Sequence, residues 1–196
     1  QDVSRLPAEL HQAVQTKQNL LYDVVSCYAY KNPALGYVQG MLYILAVILQ
    51  RHSTFWPAFT TYTNCMKRTS MYSPLVAEYN GTYSSVEKTL EHMELLFPRA
   101  LLLHCEHRAL SSACISVRML FTSFIICVQH EHRARILKYL YSKTEKSFET
   151  FLVAYLRVHF SNCCHWPTSI EESLQQLFDW RPDNYEVKAM LAFVHV

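Results

Sequence analysis

Three glycines in 196 residues, Gly36, Gly40 and Gly81, constrain this chain more than any other feature. That is roughly a fifth of the ~7% glycine usage of ordinary proteins. Hairpins and barrel corners draw on glycine for backbone with positive φ, so an all-β fold would lack its turn residue here. Helices make no such demand, and the expectation is an all-α fold. With 51% hydrophobic and 17% charged residues, the chain has enough apolar surface for a sizeable core and is far from a disordered composition.

Hydrophobic spacing agrees. Within residues 7–30, Leu20, Leu21, Val24, Val25 and Tyr28 recur at the spacing of one buried helix face, and Pro33 ends the pattern by disfavouring helical geometry before it. Met41 to Gln50 is apolar on all sides, as in a helix at the centre of a helical protein. Phe55-Trp56-Pro57 opens a helix to about Met66. Lys67 to Tyr83 is polar and turn-rich and reads as a connection. Val86 to Phe97 is helical, with Leu90, Met93 and Phe97 on one face and Pro98 interrupting it. Ala109 to Gln129 reads as a long apolar helical stretch, and Ile136 to Tyr141 and Phe148 to Phe160 as two more helices. Ser169 with Glu172 forms a capping box opening an amphipathic helix whose apolar face is Leu174, Leu177 and Phe178. Asp183 to Val196 closes the chain.

Several function classes are disfavoured. Net charge is +2 with Lys and Arg scattered, so no basic stripe points to nucleic acid. The longest apolar run, Met41 to Leu49, is nine residues, against the ~18–20 of a membrane span. Seven irregularly spaced cysteines do not form a disulfide framework, and the reading is a reduced, cytoplasmic protein in which the sequon at Asn80 is idle. His104-Cys105-Glu106-His107, His130-Glu131-His132 and Cys163-Cys164-His165 carry metal-ligand residue types without zinc-site spacing, and no metal is expected. Because the chain opens on Gln1 and its first motif on Asp2, we expect a fragment of a longer protein, truncated at the N-terminus.

Two of the three glycines bracket one tripeptide, in Gly36-Tyr37-Val38-Gln39-Gly40. In a chain that avoids glycine, this clustering marks backbone that turns sharply or is closely approached. Gln39 sits at the tip of a loop between two helices, where functional groups concentrate.

The stretch Asn32-Pro33-Ala34-Leu35-Gly36-Tyr37-Val38-Gln39-Gly40-Met41 resembles the glutamine-finger motif of TBC-domain Rab GTPase-activating proteins. Asp2-Val3-Ser4-Arg5 is similar to the end of that family's arginine-finger motif. The 34-residue separation of Arg5 and Gln39 is close to the family's usual one. Phe55-Trp56 and Leu95-Leu96-Phe97-Pro98 also fall where the family carries similar residues. The likeness is good over residues 2–105 and weaker over 106–196: Arg118 stands about where a Trp is expected, and a later Trp-Asp feature is missing near Leu137-Lys138-Tyr139-Leu140. The resemblance implies one TBC domain over residues 1–196.

It also implies a mechanism. Phosphoryl transfer from GTP requires a positioned water and stabilised charge on the phosphoryl oxygens. Arginine offers a permanent charge on a planar fork of donors, and a Gln amide can both donate and accept. Arg5 and Gln39 are thus the implied catalytic pair, with Asp2, Gly36, Tyr37, Val38 and Gly40 supporting them or binding the GTPase. The implied partner is a GTP-bound Rab-like small GTPase in vesicle traffic, with GTP and Mg²⁺ belonging to that partner and no cofactor of the chain's own. Any association with endomembranes would be peripheral, through the partner or through regions outside this chain. The alternative is a catalytically weak or inactive module of the same fold that binds a GTPase or scaffolds a complex.

Overall fold

The computed structural model of the protein describes residues 2–38, 40–68, 80–142, 147–162 and 167–193. Among these every regular element is helical and there is no strand. A 3-10 turn over Asp2–Arg5 leads into α1 (Ala8–Gln15) and α2 (Gln18–Lys31). α3 (Met41–Leu49) and α4 (Phe55–Arg68) complete the first half. The second half begins with α5 (Asn80–Glu94), α6 (Pro98–Glu106) and α7 (Arg108–Ile115), the last running into a π-helical turn at Ser116–Leu120. α8 (His130–Ser142), α9 (Ser147–Ser161), α10 (Ile170–Asp179) and α11 (Asn184–Phe193) follow.

All nine residues of α3 are buried, as its unbroken apolar character requires. α1, α2, α4 and α8 all pack on it, so it is the axis of the first half. α5 contacts α6, α7 and α9, and α11 lies on α9, forming the second layer. A large-to-small change in such a helix, Leu45→Ala for instance, removes transfer energy and leaves a cavity, together about 2–5 kcal/mol.

The 7–30 pattern is two helices rather than one. The chain breaks at Thr16 and Lys17, where Lys17 adopts φ −118° and ψ 21°. The break lets Leu10 and Val14 of α1 and Leu21, Val24 and Tyr28 of α2 all reach the core from different directions. It also frees the Lys17 side chain, whose Nζ donates to the carbonyls of Leu49 (2.6 Å) and His52 (3.2 Å) at and beyond the end of α3. Carbonyls at a helix end lack an intrahelical partner, and the ammonium supplies one.

Four further expectations change. Residues 80–83 belong to α5 and 67–68 to α4, so both ends of the segment read as a polar connection are helical, and its residues 69–79 lie outside the described residues. Pro98 begins α6 at a position where its missing N–H costs nothing. Ala109 to Gln129 is not one helix: after the π turn the chain passes through left-handed backbone at Ser123 (φ 51°) and Phe124 (φ 59°). Such residues cost ~1–2 kcal/mol each. Burial of Phe124 offsets this, its ring 4.8 Å edge-on from Phe151 and 5.7 Å from Tyr155. At α10 the Ser169 Oγ accepts from the Glu172 N–H as expected (3.1 Å), but the Glu172 carboxylate reaches back to the N–H and hydroxyl of Thr168 instead.

The second layer closes around two histidines. His104 is fully buried, with Nδ1 3.1 Å from the Ser111 hydroxyl and Nε2 2.8 Å from that of Ser173. His159 lies between the rings of Phe160 and Trp180. Burial lowers the pKa of His159 to about 4, and burial together with the nearby His159 lowers that of His104 to about 4. Both are therefore neutral in the folded protein, while the unfolded chain takes up protons near the ordinary 6.5. Their contribution is full above pH 6.5 and is lost as pH falls toward 4. We expect urea-unfolding stability to drop across this window. His104→Gln should flatten that drop by about 3 kcal/mol at the acid end, because each tenfold change in proton affinity is worth ~1.36 kcal/mol. An unchanged pH profile in the variant would show that His104 titrates normally.

Candidate functional site

Asn32 shapes the loop between α2 and α3. Its N–H and its side-chain amide both donate to the Tyr28 carbonyl, closing α2. Its own carbonyl accepts from the N–H groups of Leu35 (3.0 Å) and Gly36 (2.8 Å), winding the chain into a turn. Gly36 leaves that turn at φ +62°, with nothing within 4 Å of where a Cβ would stand. Leu35 and Val38 lean on the core, and the Val38 N–H meets the Met41 sulfur at 3.3 Å. Tyr37 is 41% exposed.

Gly40 is under a harder constraint. Its φ is +106°, and a Cβ there would lie 2.2 Å from the Phe121 carbonyl oxygen and 2.8 Å from the Phe121 carbonyl carbon. Two backbones touch at this point, one entering α3 and the other leaving the π turn. Gln39, between Val38 and Gly40, lies outside the described residues.

Arg5 reaches the same region by another route. Val3 and Leu6 anchor the 3-10 turn in the core, and Arg5 itself is exposed. The Arg5 carbonyl accepts a hydrogen bond from the Tyr43 hydroxyl at 3.1 Å. Tyr43 stands in the first turn of α3, with its N–H on the Gly40 carbonyl at 3.1 Å. The backbone bearing Arg5 is thus joined to the helix that begins one residue after Gly40. Asp2 opens the same 3-10 turn.

Arg133 completes the frame. It is buried on α8, and its Nε donates to the Ile125 carbonyl at 3.0 Å. One of its terminal nitrogens lies 3.6 Å from the Glu9 carboxylate on α1. It therefore ties the segment that carries Phe121 to the helix that follows Arg5.

Sequence reasoning missed Tyr43, Phe121 and Arg133. Tyr43 carries the one hydroxyl in an otherwise apolar run, a legible signal. Nothing in the local sequence marks the other two. Arg118, at the expected Trp position, is exposed and lies 5.4 Å from the centre of the Phe178 ring. What stands there is a cation over a ring in place of the expected aromatic.

Among the described residues, the other clusters do not form a metal centre. Both His104 nitrogens face serine hydroxyls. Burial pushes the Cys105 thiol up to about 11 and the Cys127 thiol up to about 12, so neither supplies a thiolate nucleophile at neutral pH. No group of three His, Cys, Asp or Glu among the described residues is placed to hold a metal, and Cys163-Cys164-His165 lies outside them. No helix among the described residues is long and apolar enough to cross a membrane.

Among the described residues, the fold thus joins an N-terminal arginine-bearing turn to a glycine-bounded loop at the head of its central helix. The family model of the Rab-GTPase-TBC domain matches residues 1–162, and the chain belongs to that family. The match ends just after α9, so α10 and α11 lie beyond it. Comparison with curated proteins and with solved structures gives no match.

The two bracketing glycines should respond differently to a methyl group. Gly36→Ala meets only the cost of left-handed backbone, about 1–2 kcal/mol. Gly40→Ala adds a collision with rigid backbone, for a total of about 3 kcal/mol or more. Equilibrium urea denaturation of both variants tests this. Equal losses would show that the approach to Phe121 relaxes freely.

Proposed function

We propose that the protein accelerates GTP hydrolysis on a Rab-like small GTPase, with Arg5 and Gln39 as the groups supplied to the nucleotide. The observation that carries this reading is the Tyr43–Arg5 hydrogen bond. It couples the arginine turn to the start of α3, and Gln39 precedes that start by two residues. Family membership supports the partner class. A guanidinium at the phosphoryl oxygens would offset developing charge, and the Gln amide would orient the attacking water. GTP and Mg²⁺ would come with the GTPase. Tyr37, exposed beside Val38, is suited to contact the GTPase surface, while Gly36 and Gly40 set the loop's shape. Asp2 would brace the turn that carries Arg5.

A second reading keeps the same partner without catalysis. The observation favouring it is Arg118 in place of the expected Trp, close to left-handed Ser123 and Phe124, in the segment that supports Gly40. A displaced loop would bind a GTPase and leave its hydrolysis unchanged.

Single-turnover hydrolysis on a panel of GTP-loaded Rab proteins separates the two. Arg5→Ala should slow the catalysed reaction by about two to four decades, the scale of a lost arginine finger. Arg5→Lys should restore little, because a point charge does not reproduce the fork. Gln39→Ala should also slow hydrolysis severely while changing GTPase affinity much less. The two losses should be non-additive, as for residues that act as a unit. Unchanged rates in both variants on a GTPase that binds would leave the binding-module reading standing.

A further inference from the structure

The far end of α3 opens onto a cavity that the proposed reaction does not use. It encloses about 390 Å³ between α3, α4 and α8, within the ~300–1,000 Å³ range of small-ligand pockets. Val47, Ile48 and Leu137 give it an apolar floor. Arg51, just after α3, and Lys138, on α8, also line it, and both are exposed. The ion pairs found among the described residues involve neither of these cations, and no carboxylate among those residues lines the cavity.

The walls are held in place by bonds of the lining residues and their neighbours. Lys17 fixes the turn after α3 through the Leu49 and His52 carbonyls, and Arg51 lies between these two residues. The Thr61 hydroxyl stands 3.4 Å from His52 Nε2, which joins α4 to the same turn. On α8, the Tyr141 hydroxyl is 2.8 Å from that of Ser123. The walls are therefore preformed, and a ligand would have to order only the two exposed cationic side chains.

Its chemistry selects a ligand class. A neutral apolar molecule would gain the floor but nothing from the cations. A small hydrophilic anion would meet well-hydrated, exposed cations and gain nothing from the floor. A cationic amphiphile would be repelled. We propose that this cavity binds a small amphiphilic anion, its apolar body on Val47, Ile48 and Leu137 and its carboxylate or phosphate head at Arg51 and Lys138.

Isothermal titration of the full chain with decanoate and decyl phosphate below their micellar concentrations tests the assignment. Decanol, decyltrimethylammonium and inorganic phosphate serve as comparisons. Saturable one-to-one binding of at least one anionic probe is expected, at least tenfold tighter than decanol, and whichever head group binds more tightly identifies the source. The double variant Arg51→Ala/Lys138→Ala should weaken that probe about tenfold or more, the scale of a lost charge-assisted contact, and leave decanol unaffected. Its surface positions keep this variant folded, and its thermal unfolding checks that. Ala134→Trp should block the cavity and abolish binding. Decanol or inorganic phosphate binding as tightly as the anionic amphiphiles would overturn the proposal, as would unchanged affinity in the double variant.

Discussion

The carbonyl of Phe121 lies so close to Gly40 that no side chain fits between the two backbones. Much of the first half of the molecule follows from that contact. α3 starts at Met41 without a side-chain cap, so its N-terminus is set by the contact and the turn before it rather than by local capping chemistry. With α3 in place, its nine buried residues provide the surface on which α1, α2, α4 and α8 pack. Gln39 precedes Gly40 by one residue in the sequence, and a shift of the Phe121 backbone would be felt directly at Gly40.

Polar side chains of neighbouring elements then tie down backbone carbonyls. Tyr43 binds the Arg5 carbonyl, Lys17 the carbonyls of Leu49 and His52, and Arg133 that of Ile125. Buried or half-buried carbonyls are costly when unsatisfied, so each bond stabilises more by the penalty it avoids than by its own net strength. For Arg5 the bond holds the backbone that carries the side chain.

The left-handed residues Ser123 and Phe124 hold strain shortly after Phe121. Strain of this kind persists where surrounding packing over-determines it. Here the Ser123–Tyr141 hydroxyl pair and the aromatic group of Phe124, Phe151 and Tyr155 do so. The same hydroxyl pair steadies one wall of the α3–α4–α8 cavity, so the support of the candidate loop and the support of the cavity share residues.

The sequence by itself determined the helical class, the buried central helix and the special loop. Glycine scarcity excludes sheet turns, nine consecutive apolar residues have no solvent face to offer, and two of three glycines in five residues mark unusual backbone. These signals are local, and each depends on few residues. Only the tertiary structure decided the break at Thr16 and Lys17, the π turn and left-handed step after Ile115, and the joining of Arg5 to the head of α3. Residues 109–129 contain neither Gly nor Pro and are largely apolar, so periodicity cannot distinguish a straight helix from a folded-back turn. Packing of Phe124 against α9 makes that choice. Likewise, Gly40 advertises a close approach, but the identity of the approaching backbone, Phe121, lies 81 residues away and is fixed only when the two segments pack together.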